Sequence, residues 1–309
     1  MKILKWDGSP ISTPGIYDGI PMDAYHGQLT VGPSISSSGL RTIFYESPRH
    51  YYRDSYLNPG RRDRSDSSAF AFGRAAHHLL LGESHFAQHF VVRPVVLDGA
   101  PWQSNRTACR QWLAQQRAAG LTVVTEAEMD AIRGMAESLA DEPLVEAGIL
   151  NGLIEHSFVW QDAKTGVWLK WRPDAVPTDS MDFSDLKTTT SVRHQDLERA
   201  IANYGYHLQG ALGALACEAL LGQPMNSFSL VFVEKTDPWC VRTKTIRESD
   251  IALGRRCIAA ALTAFRRGLD TGVWPGPGGT QTDTEYSGVP EWAHTAASFR
   301  IEELEGEMA

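Results

Sequence analysis

The pattern of apolar segments predicts an α/β fold, a central mixed sheet of about five strands flanked by helices. Residues 167–176 and 181–188 are rich in Val, Trp, Leu and Phe, and only the turn residues Pro177-Thr178-Asp179-Ser180 separate them. Two further strand patterns, 227–235 and 239–246, follow later. Helical patterns at 68–81, 195–221 and 249–269 are interleaved with the strands, which is the order expected of helices covering a sheet.

The elements follow in chain order. Residues 68–81 read as a helix with Phe70, Phe72, His77 and Leu81 on or near one side; on the residues alone, His77 is a helix histidine packed against the sheet. Thr125 with Glu128 forms a capping box that opens a second helix, whose Met129, Ile132, Met135 and Leu139 make an apolar core stripe. Residues 153–160 alternate, putting Glu155 on one face with Leu153, Ser157 and Val159. Such an acid is either an edge-strand glutamate facing water or a third carboxylate beside the hairpin that follows. Residues 195–221 read as one helix ending near Gly222. It carries Gln209, and its Gly210, Ala211, Gly213, Ala214 and Ala216 permit close packing. A turn at Asp237-Pro238 joins the last two strands, and Gly272 stops the final helix.

The hairpin concentrates the chemistry. Pro173-Asp174 is followed, after ten intervening residues, by Asp185-Leu186-Lys187. Side chains alternate along a strand, so Asp185 and Lys187 share a face roughly 6.6 Å apart while Leu186 points into the core. A hairpin brings Asp174 towards Asp185. Two close carboxylates repel each other unless a cation lies between them, and their hard oxygens favour Mg²⁺ or Mn²⁺. A lysine beside them can orient or help deprotonate a water and stabilise charge on an attacked phosphate. Taken alone, the triad is equally a structural ion pair buried on a strand. A second acid-x-Lys triplet, Asp162-Ala163-Lys164, falls in a hairpin loop and reads as solvated turn chemistry.

An ordered set of motifs carries a resemblance over about residues 25–293. Tyr25-His26, Ile35-Ser36-Ser37-Ser38-Gly39-Leu40 and Ser47-Pro48-Arg49-His50-Tyr51 come first, then Phe72-Gly73-Arg74-Ala75-Ala76-His77 and Glu155-His156-Ser157. After the hairpin motif come Tyr206-His207-Leu208-Gln209, Trp274-Pro275-Gly276 and Pro290-Glu291-Trp292-Ala293. In this order they resemble the RecE-type (exonuclease VIII-like) branch of the PD-(D/E)xK nucleases, mostly phage or prophage recombination exonucleases. The resemblance implies a restriction-endonuclease-like core and a Mg²⁺-dependent enzyme, with Mn²⁺ able to substitute. Asp174 and Asp185 would hold the metal with the Leu186 carbonyl and His77, Lys187 would position the attacking water, and Glu155 and Gln209 would assist. Gln209 would bond the lysine or a phosphate. In many members of the superfamily a tyrosine follows this glutamine by four residues, whereas Gly213 stands here. The family further implies 5′→3′ digestion of linear duplex DNA to leave 3′ single strands, a single-strand annealing protein as partner and a ring-like homo-oligomer. Two other readings remain: an endonuclease or repair nuclease of the same superfamily, and a non-catalytic DNA-binding descendant.

Length and composition fit one catalytic domain across residues 1–309, with less patterned extensions up to about Met22 and from Thr280. With 42% hydrophobic residues the chain can bury a sizeable core. Its net charge of −8 leaves DNA binding to local cationic surface, and no strong basic stripe is legible. Arg61, Arg62, Arg64 and Arg74 come nearest to a patch, the first three in a surface loop. Cys109, Cys217, Cys240 and Cys257 are scattered without the spacing of an iron–sulfur cluster, so none is expected and the thiols should be reduced. No apolar run reaches membrane-spanning length and no signal-peptide core follows Met1, so a cytoplasmic location is expected, in a bacterial host if the gene is phage or prophage borne.

Overall fold

The computed structural model describes residues 2–61, 68–82, 86–279, 284 and 286–306. It contains two mixed five-stranded sheets where the sequence suggested one. The first runs in the order Ile3–Lys5, Gly15–Asp18, Ser157–Gln161, Trp168–Trp171, Ser34–Ser36. The second runs Val241–Thr245, Ser227–Glu234, Asp182–Thr189, Ala175–Val176, Leu153–Ile154, and its one parallel pair joins Asp182–Thr189 to Ser227–Glu234.

Two segments that read as single strands each cross from one sheet to the other. Residues 153–160 break at Glu155, which adopts φ 58°, a left-handed conformation that ends the pleat. Leu153–Ile154 therefore pairs in the second sheet and Ser157–Gln161 in the first. Glu155 does not share a strand face with Leu153, Ser157 and Val159, contrary to the alternation. Residues 167–176 break in the same way at Arg172-Pro173-Asp174, where proline ends the ladder by removing a donor. Both breaks lie side by side, the Glu155 amide facing the Asp174 carbonyl at 3.5 Å.

The main core fills the space between the sheets and two helices, Tyr206–Leu221 and Glu248–Thr271. It holds Phe158, Trp171, Phe183, Phe228, Phe232 and Phe265, each at most 1% exposed. On the other face of the second sheet, Leu186, Val231 and Val233 pack against helices Ser68–Leu80 and Glu126–Ala140, the latter opened by the expected Thr125–Glu128 capping box. A third cluster covers the outer face of the first sheet and includes Ile11, Tyr17, Ile20 and Tyr25. The unpatterned N-terminal stretch is thus part of the fold: Gly15–Asp18 pairs with Ser157–Gln161 and Ile3–Lys5 pairs with Gly15–Asp18.

The long helix expected over 195–221 is two helices, His194–Asn203 and Tyr206–Leu221. Gly205 separates them at φ 62°, and a Cβ there would lie 2.5 Å from the Tyr45 ring, so only glycine serves. The break frees Tyr206–Leu221 to press its small residues onto the sheets. A Cβ at Gly210 would meet Phe228 at 2.6 Å and one at Gly213 would meet Trp171 at 2.6 Å.

Helix Glu291–Gly306 has no buried residue. Arg62, Arg64, the Phe70 side chain and parts of the C-terminal stretch lie outside the described residues. Among the described residues, no helix is long and apolar enough to cross a membrane.

Candidate active site

The hairpin register sets the geometry. Ala175 pairs with Ser184, so the next antiparallel position sets Asp174 opposite Asp185. The short strand stops there, and the Asp174 side chain replaces it: Oδ2 accepts a 2.6 Å hydrogen bond from the Leu186 amide. The other oxygen, Oδ1, is 3.5 Å from His77 Nδ1 on helix Ser68–Leu80. Burial by itself raises the Asp174 pKa. The His77 ring, Lys187 and the Leu186 N–H outweigh it and hold the carboxyl below the ordinary aspartate value.

Asp185 and Lys187 share the face of their strand that looks toward helix Tyr206–Leu221. Lys187 Nζ contacts Asp185 Oδ2, and Gln209 Nε2 donates to Asp185 Oδ1 at 2.5 Å. Gln209 therefore holds the carboxylate, not the lysine as one reading of the sequence had it. Its own Oε1 is buried and has no hydrogen-bond partner among the described residues. The Lys187 ammonium lies 5.1 Å from the centre of the Tyr206 ring. Burial lowers its pKa to about 8, against the pull of Asp174 and with a smaller push from Arg41.

Leu186 sends its side chain the opposite way, fully buried among Phe72, Ala75 and Ala76. In an extended strand one residue's N–H and C=O point to the same side. With the Leu186 amide on Asp174, its carbonyl also faces the Asp174 side. His78, one residue beyond His77, turns away and packs against Phe86, His89 and Phe90.

Glu155 pairs with Arg172. Its Oε2 accepts from Arg172 Nη1 at 3.1 Å. Arg172 also donates to Ser157 Oγ and the Ile20 carbonyl, each at 2.8 Å, and its guanidinium lies 4.4 Å from the centre of the Tyr25 ring. The Glu155–Arg172 pair thus ties together the two strand breaks and the N-terminal segment. Asp162 of the other acid-x-Lys triplet accepts from the Thr165 amide and hydroxyl at 2.8 and 2.7 Å, a closed turn.

A family model described as a PDDEXK-like domain of unknown function (DUF3799) matches residues 36–283. The chain belongs to this PDDEXK-like family. Among solved structures, a candidate exonuclease from Eubacterium rectale is similar over 90% of this chain and 99% of that one, with TM-score 0.60 and 12% identity, a likeness of fold. The alkaline exonuclease of Laribacter hongkongensis covers 54% of this chain and 86% of its own, at TM-score 0.23 and 14% identity, too remote to carry an argument. Among curated proteins none matches the chain.

Within this PDDEXK-like domain the donor set suits a hard divalent cation: two carboxylates, an amide carbonyl on their side and an imidazole nitrogen. The unpartnered Gln209 Oε1 adds a buried oxygen beside Asp185. Among the described residues no three His, Cys, Asp or Glu side chains are gathered closely enough to form a cage by themselves. A cation here would rely on Asp174, Asp185 and the Leu186 carbonyl, with its remaining positions open to water or substrate.

Two neighbours carried no role in the sequence reading. Tyr206 floors Lys187, and burial pushes its hydroxyl up to about 12, against Arg41. Arg41 lies 5.9 Å from the Tyr206 ring centre, donates to the Tyr204 carbonyl at 2.7 Å and keeps Nε buried without a hydrogen-bond partner among the described residues. Its sequence signal was weak: it directly follows the Ile35-to-Leu40 motif, but only the fold brings helix Ser37–Tyr45 against the Gly205 break.

Proposed function

We propose that the chain is a Mg²⁺-dependent exodeoxyribonuclease hydrolysing phosphodiester bonds of linear duplex DNA. One observation carries this reading: Asp174, Asp185 and Lys187 converge where a strand stops and the Asp174 carboxylate takes over the Leu186 amide. A purely structural ion pair does not need a second carboxylate at that point or a glutamine orienting the first.

Asp174, Asp185 and the Leu186 carbonyl would hold the metal, with His77 beside Asp174. The cation, when bound, supplies Lewis acidity, polarising a phosphoryl oxygen and making water a better nucleophile at neutral pH. Lys187 aims its Nζ at the reacting side of Asp185. It orients the attacking water there and offers positive charge to the phosphate. Gln209 fixes the Asp185 carboxylate through Nε2. Arg41 brings a second cation towards the same phosphate. Glu155 acts indirectly, through Arg172, by holding the turn that presents Asp174.

The resemblance to RecE-type exonucleases extends the reading to 5′→3′ polarity, a ring-like homo-oligomer and a single-strand annealing protein that receives the 3′ strand. The test is digestion of end-labelled linear duplex and of a closed circle, with Mg²⁺ and with EDTA. Mg²⁺-dependent release of 5′-terminal nucleotides from the linear form alone is expected. Cleavage of the circle makes the protein an endonuclease instead, and binding of either DNA without cleavage makes it a non-catalytic member of the fold.

A further inference from the structure

Residues 86–124, which include the strand pair Phe90–Val92 and Thr122–Val124 and the helix Thr107–Ala118, form a lobe of cationic charge balance in an acidic protein. Its only charged residues are Arg93, Asp98, Arg106, Arg110 and Arg117, a balance of +3 in a chain of −8. None of these arginines has a carboxylate partner among the described residues. By contrast, Arg53, Arg133, Arg172, Arg255, Arg266 and Arg300 all do. Arg106 is spent on the lobe itself, donating to the carbonyls of Leu97, Ala100 and Pro101 at 3.3, 3.2 and 3.1 Å. Arg93 stacks over Trp102, 5.2 Å from the ring centre. Arg110 and Arg117 are left exposed on helix Thr107–Ala118.

Seven residues are two helical turns, so Arg110 and Arg117 project from one face roughly 10.5 Å apart. Cys109, buried at 0%, marks the inward side, about 100° round the helix from Arg110 and about 80° from Arg117. The spacing is close to the roughly 12 Å width of the duplex major groove. The lobe is also fixed to the candidate active site. Arg74 donates to Thr122 Oγ1 at 2.7 Å, and Arg74 stands one turn before His77 on the same helix.

We infer that this lobe is a duplex-binding surface, its Arg110 and Arg117 gripping backbone phosphates away from the scissile bond. The inference rests on the proposed nuclease function for its choice of polyanion, and on charge complementarity for its place. The acidic helix Glu126–Ala140 follows the lobe directly along the chain.

The test is anisotropy of a fluorescent blunt duplex in EDTA over a salt series. It compares the intact protein with R110A/R117A, R110E/R117E and, as a control, the ion-paired exposed arginines in R133A/R300A. Losing two phosphate contacts should lower the slope of log affinity against log salt by about 2 and weaken low-salt binding about tenfold or more, with a larger loss on charge reversal. R133A/R300A should keep the slope of the intact protein, and Mg²⁺-dependent kcat at saturating duplex should survive in R110A/R117A. Unchanged affinity and slope in both lobe variants overturn the inference while cleavage by the intact protein leaves the nuclease reading standing. Binding that depends on the lobe in a protein that never cleaves does the reverse. Tighter binding of single-stranded DNA that is lost in Trp102→Ala overturns the duplex assignment.

Discussion

Lys170 is buried and Lys187 half-buried on strands, both lie over tyrosine rings and both have pKa values lowered mainly by burial, to about 7 and about 8. What they face differs. Lys170, 3% exposed, donates to the Tyr25 carbonyl between the rings of Tyr25 and Tyr56, 5.2 and 5.6 Å from their centres. No carboxylate pairs with it among the described residues, and Arg172 pushes its pKa the same way as burial. Lys187 meets Asp185, feels Asp174 and sits where a strand edge ends. A perturbed lysine is therefore a poor marker of a site by itself; the neighbouring acids distinguish the two.

The largest expected effect separates them directly. Lys187→Ala should reduce Mg²⁺-dependent cleavage ~10³-fold with folding and DNA binding retained, as should Asp174→Ala and Asp185→Ala. Lys170→Met should leave kcat within about twofold, because it contacts nothing in the proposed reaction. Equal losses from both lysines in single-turnover assays would make Lys187 a structural residue like Lys170.

Gln209→Ala sharpens the contrast by loosening only the partner of Lys187. A fall in kcat of about tenfold is expected, with partial rescue by Gln209→Asn if orientation is the role. Next in size is the pair on one helix. His77→Ala should cost activity with little change in melting temperature, and His78→Ala should cost about 1–3 kcal/mol of stability in denaturant titrations with activity per folded molecule kept. The opposite ranking would mean the wrong face of the helix had been chosen.

The smallest effect concerns stability. Lys170 is depressed in the folded state, so the unfolded chain binds the extra proton between about pH 7, the folded value, and about pH 10.4, the ordinary lysine value. Stability from this group therefore rises with pH through that window and is lost as pH falls towards 7. Lys170→Met should flatten the rise, measured by chemical denaturation. Readings are best kept below about pH 10, the ordinary tyrosine value, because the buried Tyr25, whose pKa is raised, makes stability fall above it.

Much of the site was legible because local chemistry is written in strand period and spacing. The two-residue alternation set Asp185 and Lys187 on one face and Leu186 in the core, and ten intervening residues sufficed for a hairpin opposing Asp174 to Asp185. Helix period likewise separated His77 from His78. Glu155 was misread because alternation assumes an unbroken strand, and a single left-handed residue cancels it. Gly213 shows the converse: the missing tyrosine has a steric reason, the Trp171 ring 2.6 Å from where a Cβ would stand.

By itself, then, the amino-acid order determined the α/β class, the acid–acid–lysine triad and the elements that carry it, since each depends on contacts within a hairpin or along one helix. Tertiary structure alone decided that there are two sheets, that Arg172 anchors Glu155, that Gln209 holds Asp185, and that Arg41 and Tyr206 stand beside Lys187. Those contacts join residues from 17 to more than 140 positions apart. Such partners are chosen by how buried surfaces fit, and one strand break or one glycine can redirect them without changing any local pattern.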